Sequence, residues 1–144
     1  LWSVDGSYGG ENKINKLSTD GQVVDSFNPI NYPWGLAWVN PYLYVSDWKS
    51  DLPGGNKIYK ITTSGQVVGS FEFKDGYGLA WDGQFLWGVS NPDNDPAEIH
   101  KLTTSGTIIN TFEAPVFHHG DVAWDGQYLW STAYQKIYKL EIIP

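Results

Sequence analysis

The chain has 144 residues, a formal net charge of −7 and 16% aromatic residues, with no Cys, no Met and no Arg. One ordinary domain with its own core fits that length, while an acidic chain with singly scattered lysines is unsuited to nucleic acid, whose phosphates require clustered basic residues. Absence of cysteine removes disulfides, thiolate chemistry and Cys-ligated zinc together, and no apolar run reaches the ~18 residues of a membrane span.

In chain order, the first element is Leu1-Trp2, which returns as Leu43-Tyr44, Leu86-Trp87 and Leu129-Trp130 at spacings of 42, 43 and 43 residues. The second is Ile14-Asn15-Lys16-Leu17, matched by Ile58-Tyr59-Lys60-Ile61, Ile99-His100-Lys101-Leu102 and Ile137-Tyr138-Lys139-Leu140. The third is Gly21-Gln22-Val23-Val24 with Phe27, matched by Gly65-Gln66-Val67-Val68 with Phe71 and by Gly106-Thr107-Ile108-Ile109 with Phe112. The fourth is Gly35-Leu36-Ala37-Trp38, matched by Gly78-Leu79-Ala80-Trp81 and Asp121-Val122-Ala123-Trp124. A turn follows, Asp82-Gly83-Gln84 or Asp125-Gly126-Gln127, replaced in the first copy by Asn40-Pro41. The repeats therefore run 1–42, 43–85 and 86–128, with a partial repeat at 129–144.

Each unit is short, β-branched or aromatic, and bounded by Gly, Asp, Asn, Ser or Pro, which is strand chemistry with turn punctuation. Four strands per ~43 residues is the spacing of a β-propeller blade. We label the strands a (Gly-Leu-Ala-Trp), b (Leu-Trp), c (Ile-x-Lys-Leu) and d (Val-Val-x-x-Phe). The order along the chain is bcd, abcd, abcd, abc: an all-β propeller of about three and a half four-stranded blades. Six tryptophans, Trp2, Trp38, Trp81, Trp87, Trp124 and Trp130, hold a or b positions and are expected in the core between blades.

These marks resemble the repeats of bacterial propellers of the streptogramin-lyase-like, NHL and SMP-30 type, in which an aromatic after Asp-Gly leads through Ile-x-x-Ile to Gly-x-Val. The likeness covers nearly the whole chain in scaffold positions and implies a propeller, most often six-bladed. No motif here receives that group's catalytic His and Glu residues, so none is transferred.

Three and a half blades leave radial faces rich in Trp, Leu and Ile uncovered. A homodimer closing one ring is expected, with six blades ahead of seven. A four-bladed monomer and a portion of a longer protein are the alternatives.

Function is expected on the b-c connections (5–12, 47–56, 91–98 and the very short 133–135) and the d-a connections (28–34, 72–77, 113–120), most of which are long and irregular beside the short a-b and c-d turns. Trp34, Trp48, Tyr32 and Tyr77, with Tyr8 and Tyr134, fall off the repeat register there and can stack on a sugar ring or anchor a protein. Asp75 aligns with His118 and Tyr32. Asp93 and Asp95, in an Asn-Pro-Asp-Asn-Asp-Pro run, are of the kind hard cations prefer, and Asp47 and Asp51 share that character. No cofactor is otherwise implied, a divalent cation such as Ca2+ being the exception. His118-His119-Gly120-Asp121 is the cluster with metal or proton-transfer chemistry, His119 and Asp121 being its metal candidates. His100, within strand c, reads as structural.

The expected function is a non-catalytic propeller module that self-associates and presents loops to a protein or glycan ligand. The alternative is a metal-dependent lyase, lactonase or cyclotransferase with its site in the central channel. The sequence does not fix the compartment; an extracellular or periplasmic setting is the favoured reading.

Overall fold

In a computed structural model of the protein, residues 1–6, 11–48, 56–91, 96–114, 119–133 and 135–141 are described, His119 by its backbone. Fourteen strands follow one another: β1 (Trp2–Asp5), β2 (Lys13–Leu17), β3 (Val23–Phe27), β4 (Pro33–Val39), β5 (Tyr42–Asp47), β6 (Lys57–Thr62), β7 (Val67–Glu72), β8 (Gly76–Trp81), β9 (Leu86–Ser90), β10 (Glu98–Leu102), β11 (Ile108–Glu113), β12 (His119–Trp124), β13 (Leu129–Ala133) and β14 (Lys136–Leu140). They form four antiparallel meanders: β1-β2-β3, β4-β5-β6-β7, β8-β9-β10-β11 and β12-β13-β14. In repeat terms these are bcd, abcd, abcd and abc, as the spacing predicts.

The sheets stack side by side. Inner strand β4 packs along β8, and β8 along β12, while β1, β5 and β9 each lean on the inner strand of the following sheet. Among the described residues no extensive strand contact joins the fourth sheet to the first. The arrangement is an arc of propeller-type sheets.

Three seams hold the core. Ile14, Leu43, Val45 and Ile61 fill the first, Ile58, Leu79, Leu86 and Leu102 the second, and Ile99, Val122 and Leu129 the third. The short turns are built from side chains. Asp82 Oδ1 accepts from the N–H groups of Gln84 (2.7 Å) and Phe85 (2.6 Å), and its Oδ2 accepts from Trp87 Nε1 at 2.7 Å. Asp125 repeats all three bonds with Gln127, Tyr128 and Trp130, each at 2.7 Å. Every sheet also sets a strand-c lysine over an aromatic ring, as in Lys60 over Tyr42 at 4.0 Å and Lys139 over Tyr128 at 3.3 Å.

The expectation that all six register tryptophans lie in the core needs one correction. Trp87 is 2% exposed, but Trp38 is 42% exposed. Trp81 and Trp124, its counterparts, are half-buried against the second and third seams. Trp38 stands on β4, and the preceding sheet, β1-β2-β3, contributes no strand a to cover it.

Candidate functional site

Strand a of the second, third and fourth sheets begins with the same irregularity. Pairing with strand b shifts between Pro33 and Leu36, between Gly76 and Leu79, and between His119 and Val122. A bulge of this kind breaks the alternation of side chains and re-aims them. Trp34, Tyr77 and Gly120 occupy the matching positions, at the end of each sheet where the b-c and d-a connections meet.

Here three of the sequence-predicted aromatics converge. Trp34 and Trp48 have ring centroids 5.7 Å apart, Trp34 and Tyr77 also 5.7 Å apart and edge-on at 79°, and Trp48 and Tyr77 6.1 Å apart. Such tilted and edge-to-face contacts suit the quadrupoles of aromatic rings. Trp34 remains 40% exposed. Tyr32 secures the cluster through its backbone, its carbonyl accepting from the Trp48 N–H at 3.3 Å.

Ser46 is a residue that sequence reading overlooked. Its Oγ accepts from the Gly35 N–H at 2.8 Å and donates to the Tyr77 carbonyl, so one buried hydroxyl ties two neighbouring inner strands below the rings. A serine in a strand rich in β-formers gives no signal of a contact with the next blade. Gly35 is needed for the same close approach, because a Cβ there would stand 2.7 Å from the Leu79 nitrogen.

Asp75 is positioned as part of the loop frame. It adopts φ of 52°, its N–H donates to Asn56 Oδ1 at 3.0 Å, and its carbonyl accepts from the Asn91 N–H at 3.0 Å. It therefore links a b-c connection to a d-a connection.

Asp121 stands at the position of Gly35 and Gly78. Its carboxylate accepts from the Val122 N–H at 2.9 Å, and its own N–H donates to Thr132 Oγ1 at 3.1 Å. Crowding against Gly78 of β8 desolvates the carboxyl and raises its pKa, the Val122 bond opposing this. His118, Asp93, Asp95, Asp51, Tyr8 and Tyr134 lie outside the described residues, as does the side chain of His119. Among the described residues, no three His, Asp or Glu side chains are grouped to hold a metal ion.

His100 is structural, as expected. It is 7% exposed, with Nε2 2.9 Å from Ser90 Oγ and Nδ1 3.0 Å from Thr111 Oγ1.

No protein-family model matches the chain, and no curated protein does. Solved structures do match. A glutaminyl cyclase of Myxococcus xanthus superimposes with a TM-score of 0.73 at 14% sequence identity, over 93% of this chain and 59% of that one. At that identity the likeness shows the fold, and the chain spans under two thirds of its structural neighbour.

Proposed function

We propose that the chain is a non-catalytic propeller module that completes its ring with a second copy and binds a glycan on the face carrying the long connections. The carrying observation is the Trp34–Trp48–Tyr77 cluster, which keeps an indole 40% exposed on a frame tied by Ser46 and Tyr32. An exposed aromatic face suits the C–H face of a sugar, and facing rings at several angles give a shallow platform. Asp121, one sheet on and next to Gly120, the residue that matches Tyr77, supplies a carboxylate that can accept from sugar hydroxyls. The resemblance to streptogramin-lyase-like and NHL repeats supports the scaffold and is neutral on the ligand.

A glycan array followed by calorimetry on the best oligosaccharides tests this. Trp34→Ala should abolish binding with little change in thermal stability. Silence across neutral and acidic glycans, with capture of a protein ligand through Trp34 instead, overturns the glycan reading.

The second reading is a cyclotransferase-type enzyme, favoured by the likeness to a glutaminyl cyclase. Cyclisation of a peptide with N-terminal glutamine, lost in Asp121→Asn or His119→Ala, would support it. Absence of turnover in protein purified without chelator counts against it.

A further inference from the structure

Three sheets meet at Trp34. Trp48 follows β5 of its own sheet and Tyr77 lies on β8 of the next. From the preceding sheet, a Cβ at Gly6 would stand 3.7 Å from Trp34 Cε3. An indole held on these sides and still 40% exposed has little rotamer freedom left to lose on binding.

The charge around it leans negative. The chain has 16 Asp and Glu residues against 9 lysines, and no arginine. At the end of the sheets where the b-c and d-a connections meet, Lys13 pairs with Glu11, Lys57 with Glu72 at 3.5 Å and Lys74 with Asp75 at 3.8 Å. Lys16, Lys60, Lys101 and Lys139 stand toward the other end of strand c, each over an aromatic ring.

Two carboxylates border the rings along the backbone. Asp47 is 3% exposed; it precedes Trp48 and pairs with Pro33, the residue before Trp34. Burial, and then the negative charges of Asp47 and Glu72, hold the Tyr59 hydroxyl above the ordinary phenol pKa, and a buried charge is little screened by salt. Asp75, its side chain 23% exposed, comes two residues before Tyr77, which keeps their Cα atoms within about 7 Å.

Resting on the reading that Trp34 stacks a sugar, we propose that the sugar carries a free ammonium group, so that the ligand is an oligosaccharide of amino sugars without N-acetyl groups. Its C–H face lies on the Trp34 indole, and its ammonium donates to the Asp75 carboxylate with the buried Asp47 charge behind. The rings make the platform, and the carboxylates decide what it prefers. The fold already joins an ammonium to an aromatic face in every sheet, as with Lys60 at 4.0 Å from the Tyr42 centroid, and indole is the aromatic face that attracts a cation best. A uronate would set its carboxylate against Asp47 and Asp75, with no arginine in the chain to receive it bidentately. An N-acetylated unit keeps the stacking and loses the charge.

Calorimetry of the whole chain at low ionic strength, with oligomers of glucosamine, N-acetylglucosamine and galacturonic acid, tests this. The glucosamine oligomer should bind about tenfold or more tighter than its N-acetylated form, the uronate should bind weakest, and added salt should shrink the preference. Asp75→Asn should bring the ratio of the two glucosamine affinities close to one. Asparagine suits this position, since it accepts the left-handed backbone at φ of 52° and Asp75 ties the frame through its N–H and carbonyl. Asp20→Asn removes the same charge at a c-d turn, the opposite end of the sheet, and should leave the ratio as it is. A ratio of one in the wild type, a uronate that binds tightest, or an equal fall in the Asp20→Asn variant overturns the amino-sugar inference and leaves the glycan platform standing. Silence of all three oligomers also overturns the inference, and joined to a silent glycan array it overturns the platform.

Discussion

His100 occupies a slot that the other repeats give to Asn15, Tyr59 and Tyr138. Ser90 and Thr111 bracket its ring, Phe73 meets it edge-on at 5.5 Å, and Glu98 lies 3.5 Å from Nε2. Burial holds its pKa below the usual 6.5, with Glu98 pulling the other way. Folding therefore favours the neutral ring, so its contribution is complete above 6.5, the unfolded value, and is lost as pH falls through that value toward the lower folded one. The melting temperature should drop as pH is lowered below about 6.5, and His100→Tyr, which borrows the residue of the Tyr59 slot, should flatten that limb. An identical pH profile in the variant would assign the acid sensitivity to other groups. The structural role of His100 was legible because its repeat register placed it mid-strand. Ser46 was not, since its partners lie in two different sheets.

The turns are where the elements meet their neighbours. Gly21, Gly65 and Gly106 share a positive φ of 85°, 85° and 91°. Alanine at Gly21 should cost only backbone strain, about 1 kcal/mol. At Gly65 or Gly106 the new methyl also meets a phenylalanine ring at 2.8 or 2.5 Å, so overpacking adds about 1–3 kcal/mol. Urea unfolding of the three variants would show whether that difference exists. In the a-b turn, Asp82→Ala removes the acceptor of two backbone N–H groups and an indole N–H, and should cost about 1–3 kcal/mol by the same measurement. Strand order was readable because each strand carries its own composition and punctuation. The Phe-Gly seam contacts were not, although both residues stand in the repeat, since a period shows which residues are equivalent and not which ones touch. Trp38 is the same lesson from the other side: its register equals that of Trp81 and Trp124, yet its burial depends on whether a strand lies opposite.

At the scale of the molecule, the repeat pattern foretold an arc of four sheets, and the site's aromatics showed as departures from that pattern. Their convergence did not show, because Trp34 and Tyr77 meet through bulges at equivalent places in adjacent sheets. Closure is the remaining question of physics. Each inner sheet hides both faces against neighbours, whereas Leu1 at one end and Ile137 at the other are 73% and 71% exposed. Quasi-one-dimensional stacks of this kind draw their stability from interfaces between units. If a second copy supplies the match, folding and association are linked by mass action, and stability depends on protein concentration. The melting temperature should then rise by roughly 2–4 °C for each tenfold increase in concentration. A melting temperature independent of concentration, in a chain sedimenting at 16.1 kDa, would mean that no second copy completes the ring.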